Sequence, residues 1–193
     1  MHKAQEIQIN IITIEHDIYI EYNQIAPVQK QANKDEDAIY LPLFILVVLC
    51  TPFVLAMLSN RVFNTKVSKT DACYWSLGIS FIVFASGHFF LTDGMVLIVP
   101  PFIPAAKLLV YVTGVWEAFI GVALLIPRFR RVAALAAFAS IVLFFSANIY
   151  AAFTHIPVGG YVHGPVWLLA RTPVQAILAA WAYFFCYGEK LGP

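Results

Sequence analysis

The chain is short of charge. Of its 193 residues only 12% are Asp, Glu, Lys or Arg, with a formal net charge of +1, while 61% are hydrophobic. Soluble domains carry roughly 25% charged and 45–50% apolar residues, so this chain has about half the polar surface a water-soluble fold needs. The same numbers exclude disorder, collagen and an ordinary soluble enzyme. A mean hydropathy of +0.77 agrees. There is no basic excess for phosphate contacts, which excludes nucleic acid as a partner. Cysteine is scarce too. Cys50, Cys73 and Cys186 form no C-x-x-C pair, so the chain lacks a dithiol through which to pass electrons; the three read as small hydrophobes. A Walker A loop, a G-x-G-x-x-G and an H-E-x-x-H are all missing.

Long apolar runs fill the rest. Five stretches are long enough to cross a hydrocarbon core of about 30 Å, which takes ~20 helical residues. They are 39–59, 72–92, 105–127, 132–153 and a span within 165–187. Backbone groups in lipid have to be satisfied within the segment, so these are expected to be helices. The expected fold is all-α: a four-helix transmembrane bundle over 72–187, preceded by one additional transmembrane helix at 39–59. Residues 1–38 differ in kind, with seven acids against three lysines. Their run IQINIITIEHDIYIEY alternates with period two and is rich in β-branched residues, as an extended strand or hairpin would be. It lacks the basic start and apolar core of a secretory signal. Such a segment either pairs with another element or precedes the true start; the preferred reading is a poorly ordered tail.

Loop charges set an orientation. Arg61, Lys66 and Lys69 lie between the first two spans, Arg128, Arg130 and Arg131 between the third and fourth, and Lys190 beyond the last. Segments 93–104 and 154–164 hold no Lys or Arg. Cytoplasmic loops retain basic residues, so the N-terminus is expected outside and the C-terminus inside, in a bacterial cytoplasmic membrane with the lipid bilayer as first partner. In the last span Thr172-Pro173-Val174-Gln175 fits a capping box with Pro at the first helical position, which predicts a short helix from 173 with Trp167-Leu168-Leu169 dipping in ahead of it. The run MVLIVPPFIP at 95–104 is too apolar for an open loop and too rich in proline for a helix, so it is expected in the interface or against the bundle.

Polar residues inside a membrane are costly and usually face the interior of a bundle. Topology brings five of them to the same half. His88 ends the second span, Asn148 is near the end of the fourth, Arg171 and Gln175 open the fifth, and Glu117 lies a turn or two deeper on the third. Val110, Gly114, Glu117 and Gly121 follow i, i+4, i+7, i+11 and share one helix face, and glycines beside the acid permit close approach by a neighbour. The depth argument predicts a Glu117–Arg171 ion pair bridged by His88 and Asn148. The plainer alternative is helix glue, worth about 0.6 kcal/mol per hydrogen bond on average, and for Asn148 and Gln175 it is the preferred one. His155, His163 and Asp93 share the outer side with His88, but no ligand spacing such as His-x-x-x-His supports a metal, and none is expected.

The run from about 75 to 185 resembles the DoxX and DoxX-like family of small membrane proteins. The likeness is carried by Ser86-Gly87-His88-Phe89, Val99-Pro100-Pro101 with Pro104, and Val110-Tyr111 to Gly114 and Glu117. It continues through Gly121 to Pro127, the basic turn Arg128 to Arg131, Ala147-Asn148-Ile149-Tyr150, and Arg171-Thr172-Pro173-Val174-Gln175. Ser146 departs from it, where the family usually has Pro. The resemblance implies a four-helix bundle associated with membrane redox complexes, in a family linked to quinone-coupled sulfur oxidation and to thiol or oxidative-stress systems. Its recurrent polar positions match His88, Glu117, Asn148, Arg171 and Gln175.

The expected function is therefore an accessory subunit of a quinone-linked membrane redox complex. The polar cluster would bond a quinone headgroup, and a partner protein or the quinone would supply the redox chemistry, since the chain has no built-in electron carrier. The alternative is a non-catalytic scaffold or assembly factor whose cluster fixes helix packing. A transporter is weaker, because no internal repeat relates the spans.

Overall fold

The structure, a computed structural model, describes residues 35–158 and 160–187. The strand or tail expected in 1–34 lies outside these residues. Every regular element among them is helical. Helix α1 is Asp35–Phe63, α2 Lys69–Phe90, α3 Thr92–Ile98, α4 Ala106–Leu125 and α5 Arg130–Phe153. A 3-10 stretch, Tyr161–Trp167, then leads into α6, Leu168–Ala180, which continues as a π-helix over Trp181–Tyr187. Among the described residues four segments are long and apolar enough to cross a membrane: Tyr40–Phe63, Lys69–Phe90, Ala106–Leu125 and Arg130–Phe153.

Two expectations need correction. The stretch after α2 is helical over Thr92–Ile98; its prolines begin only at Pro100, so nothing bars about two turns of helix before them. This short helix folds against α4 and α5. Nor does Thr172 cap the last helix. α6 starts at Leu168 with Trp167 at its N-cap, and Pro173 lies inside it. Pro173 has no N–H for the carbonyl four residues back, a gap near the start of the helix where few intrahelical bonds are yet made. The 13 residues of α6 cover about 20 Å at 1.5 Å per residue, so the last expected span is a broken helix, 3-10 before and π after.

The bundle is built on α2 and α4. They cross at Gly78 and Gly121, where a side chain on either residue would run into the other's backbone. A Cβ on Gly121 would stand 2.8 Å from the Gly78 carbonyl oxygen, and one on Gly78 would stand 2.9 Å from that of Gly121. Small residues are what allow membrane helices to pack this closely. Around the crossing, Leu77, Ile120 and Leu124 are buried together with Ala134 and Ala137 of α5 and Val174 and Leu178 of α6.

Helix α1 lies against α2. It runs on through Pro42 and Pro52, and the N–H missing at Pro52 removes one bond from the carbonyl ladder. Hydroxyls serve the carbonyls nearby: Thr51 donates to Val47 O at 2.6 Å, and Ser76 of α2 donates to Leu49 O. Trp181 stands edge-on to Phe53 with ring centres 5.6 Å apart and donates its indole N–H to Cys73 O at 3.4 Å. Outward faces carry exposed Leu55, Leu108, Phe119, Val132 and Leu143, a surface suited to lipid rather than water.

One end of the bundle is clamped by charge. Ser68 caps α2 by accepting from the Asp71 N–H at 3.0 Å. Arg130, at the start of α5, bonds the Asp71 carboxylate, donates to Leu124 O at 3.3 Å, and lies 5.1 Å from the centre of the Tyr74 ring. The ends of α2, α4 and α5 thus meet on one guanidinium. The opposite end holds the chemically richer residues.

Candidate functional site

His88 sits in the last turn of α2 and Glu117 in the middle of α4. Gly114 sits directly under the histidine, where a Cβ would come within 2.6 Å of His88 Cβ. With that space empty, the imidazole lies across α4. Its Nδ1 is 3.0 Å from Val110 O, and its Nε2 is 3.2 Å from Glu117 Oε2. Thr113 fills the remaining space, its hydroxyl 2.9 Å from Val110 O and 3.2 Å from Nδ1. Glu117 is buried, 8% exposed, and His88 is half-buried.

A carbonyl oxygen only accepts, so Nδ1 of His88 carries its hydrogen toward Val110. Nε2 is thereby turned toward Oε2, 3.2 Å away. The contact is close, but Oε2 has no donor aligned for a hydrogen bond.

The Glu117–Arg171 ion pair expected from depth is not formed. His88 is the partner of Glu117. Arg171 instead stands beside Tyr161, whose phenol burial pushes up from its ordinary value while the arginine's charge and hydrogen bond pull it down. The Tyr161 hydroxyl donates to Asn148 Oδ1 at 2.5 Å. Gln175 donates through Nε2 to Ile141 O at 2.7 Å, joining α6 to α5. The five residues therefore divide into a His88–Glu117 pair on α2 and α4, an Arg171–Tyr161–Asn148 group where the 3-10 stretch meets α5 and α6, and Gln175 as a tie between helices. Relative depth along the helices was readable from sequence; their rotation about their axes, which decides who faces whom, was not.

Tyr161 and Thr113 escaped the sequence reading, which placed Trp167 only in the segment dipping in ahead of the last helix. Tyr161 is almost wholly buried, and a buried tyrosine usually finds a partner for its hydroxyl. Its available signal was the Gly159-Gly160 pair before it. Gly160 adopts a left-handed φ of +90°, and a Cβ there would meet the Trp167 ring at 2.6 Å. The glycine thus lets the chain turn in and seat both aromatics. His155 and His163 lie in the connection near this turn, the His155 ring resting against Gly164. Among the described residues no three His, Cys, Asp or Glu side chains gather as a metal site, and Cys50 and Cys73 are not joined in a disulfide.

By length and composition of its helices, this is a multi-pass integral membrane protein. The chain belongs to the family described as "Domain of unknown function (DUF8561)", which matches residues 77–186, more than half of its length. That match takes in both the His88–Glu117 pair and the Arg171 group and leaves out α1. No curated protein and no solved structure matches the chain.

Proposed function

We propose that the chain is an accessory subunit of a membrane redox complex, in which His88 and Glu117 exchange a proton with a quinone headgroup. The observation that supports this reading is the buried contact of Glu117 Oε2 with His88 Nε2 at 3.2 Å, with the ring's Nδ1 held by Val110 O. Reducing a quinone to a quinol takes two electrons and two protons. In this reading the electrons come from a partner redox protein, because the chain has no carrier of its own. The pair hands one proton to a quinone oxygen, is refilled from the aqueous side, and then hands the second to the other oxygen, so that both protons of the quinol pass through it.

Further support comes from the resemblance to the DoxX family over about 75–185, whose recurrent polar positions include His88 and Glu117. The basic loops at the Arg61 and Arg128 end favour an arrangement with that end in the cytoplasm and the His88 end outside, in a bacterial cytoplasmic membrane. The last helix then completes a fifth crossing. The test is the quinone content of protein purified in mild detergent, against a His88→Ala, Glu117→Gln double variant of matched stability. Near-stoichiometric quinone that disappears in the variant is the expected result. Quinone absent, or equal in both, overturns the reading.

A scaffold or assembly role is the second reading. It is favoured by the closed internal bonding of Gln175 to Ile141 O, Tyr161 to Asn148 and Ser76 to Leu49 O, which is how polar residues join membrane helices. Under it, replacing His88 and Glu117 together by apolar residues leaves the host complex active.

A further inference from the structure

Arg171 has no role in the proton pair, and its own bonding is incomplete. Nε and Nη1 of Arg171 are buried without an acceptor, and so is Nε1 of Trp167. Trp167 itself is 7% exposed. The two residues are four apart at the start of α6, so they share a helix face. Among the described residues no carboxylate lies within 4.0 Å of the guanidinium. Tyr161, beside it, gives its own proton to Asn148. The group is therefore made of donors, with a permanent positive charge and nothing negative to answer it. In an apolar setting such a cation is expensive, and an oxyanion is the ligand that matches its geometry and charge.

The surroundings select which oxyanion. Val166, just before Trp167, and Leu169, between Trp167 and Arg171 in the chain, are large, apolar and strongly exposed. Tryptophan favours the headgroup level of a bilayer. An anion that reaches these donors across an apolar surface is one attached to hydrocarbon. We propose that Arg171 and Trp167 form a binding site for the phosphate of a phospholipid headgroup, with Val166 and Leu169 meeting its acyl chains. The site is independent of the quinone reading, since it uses neither His88 nor Glu117.

The test uses the full chain, delipidated in dodecyl maltoside, with thermal unfolding followed during titration with dioleoylphosphatidylglycerol or with inorganic phosphate. The lipid is expected to raise the unfolding temperature saturably. Arg171→Gln should weaken its apparent affinity at least about tenfold, and Trp167→Phe, which loses the indole N–H together with part of the ring, about threefold. Lys107→Gln removes an exposed cation near the start of α4 and should leave the affinity as it is. Phosphate acting as well as the lipid would retain the oxyanion site but overturn its lipid occupant. Equal lipid affinity in Arg171→Gln, or an equal loss in Lys107→Gln, overturns the site altogether. Should Arg171→Gln fail to fold, unchanged affinity in Trp167→Phe overturns it alone.

Discussion

Nε2 of His88 lies 3.2 Å from Oε2 of Glu117, across a helix seam that closes only because residue 114 is glycine. The pair combines three constraints: a carbonyl that fixes the tautomer, a buried acid, and a backbone with room for the ring. Each has its own experimental signature.

Replacing Glu117 by Ala leaves His88 Nε2 facing a void, and should destabilise the protein by about 1–3 kcal/mol, the usual cost of an unsatisfied buried polar group. Glu117→Gln keeps the shape and lets the amide donate to a neutral Nε2, so it should cost less than half of that. Denaturant unfolding in detergent micelles compares the two. Equal losses would mean that the carboxyl packs there without bonding the ring.

Glycine substitutions should separate by position. Gly114→Ala and Gly121→Ala push a Cβ to within 2.6 and 2.8 Å of fixed neighbours, and overpacking of this kind typically costs about 1–3 kcal/mol. Gly87→Ala meets only the end of Met95 at 3.5 Å, an ordinary contact, and should be neutral or slightly stabilising because alanine favours the helix. Thermal unfolding of the three variants reads this directly. Gly114→Ala should also lower any quinone bound.

Arg130 and Lys107 provide a contrast between two ion pairs. Arg130 bonds Asp71 and a main-chain carbonyl while mostly buried, so Arg130→Ala should cost about 1.5–3 kcal/mol. Lys107 and Asp93 stand 3.9 Å apart in the open, and Lys107→Ala should change stability by less than about 0.5 kcal/mol. Unfolding in high salt should narrow the second difference and leave the first.

Tyr161→Phe removes the donor to Asn148 Oδ1 and keeps the ring. A loss of about 1–2 kcal/mol is expected. The double variant Tyr161→Phe, Asn148→Leu, which removes both partners, should recover part of it.

Hydropathy located the four long helices to within a few residues, because the membrane leaves the backbone no other structure to adopt. It singled out His88, Glu117, Asn148, Arg171 and Gln175, of which the structure joins His88 to Glu117 and groups Arg171 and Asn148 around Tyr161. Partner choice was beyond it. Glu117 and Arg171 look like natural partners by charge and depth, but they sit on α4 and α6, and their facing depends on rotations set by Gly78, Gly114 and Gly121. The stripe Val110, Gly114, Glu117, Gly121 did hold the answer in part, since its glycines marked the seam with α2 where His88 lies. The last helix misled for a local reason. Thr172-Pro173 is a good helix start in isolation, yet burial of Tyr161 and Trp167 in the preceding turn begins the helix earlier.

The backbone-to-backbone crossing of Gly78 and Gly121 acts as a key in a slot. Helices that meet through long side chains can slide as rotamers readjust, whereas α2 and α4 meet backbone to backbone at Gly78 and Gly121, with Ile82 and Leu124 packed close beside the glycines, which holds their register. The last helix is the reverse, with 3-10 geometry before it, Pro173 within it and π geometry after it, the kinds of irregularity at which helices bend. A change of state in this bundle would therefore be borne by the last helix, which moves Arg171 while leaving His88 and Glu117 in place.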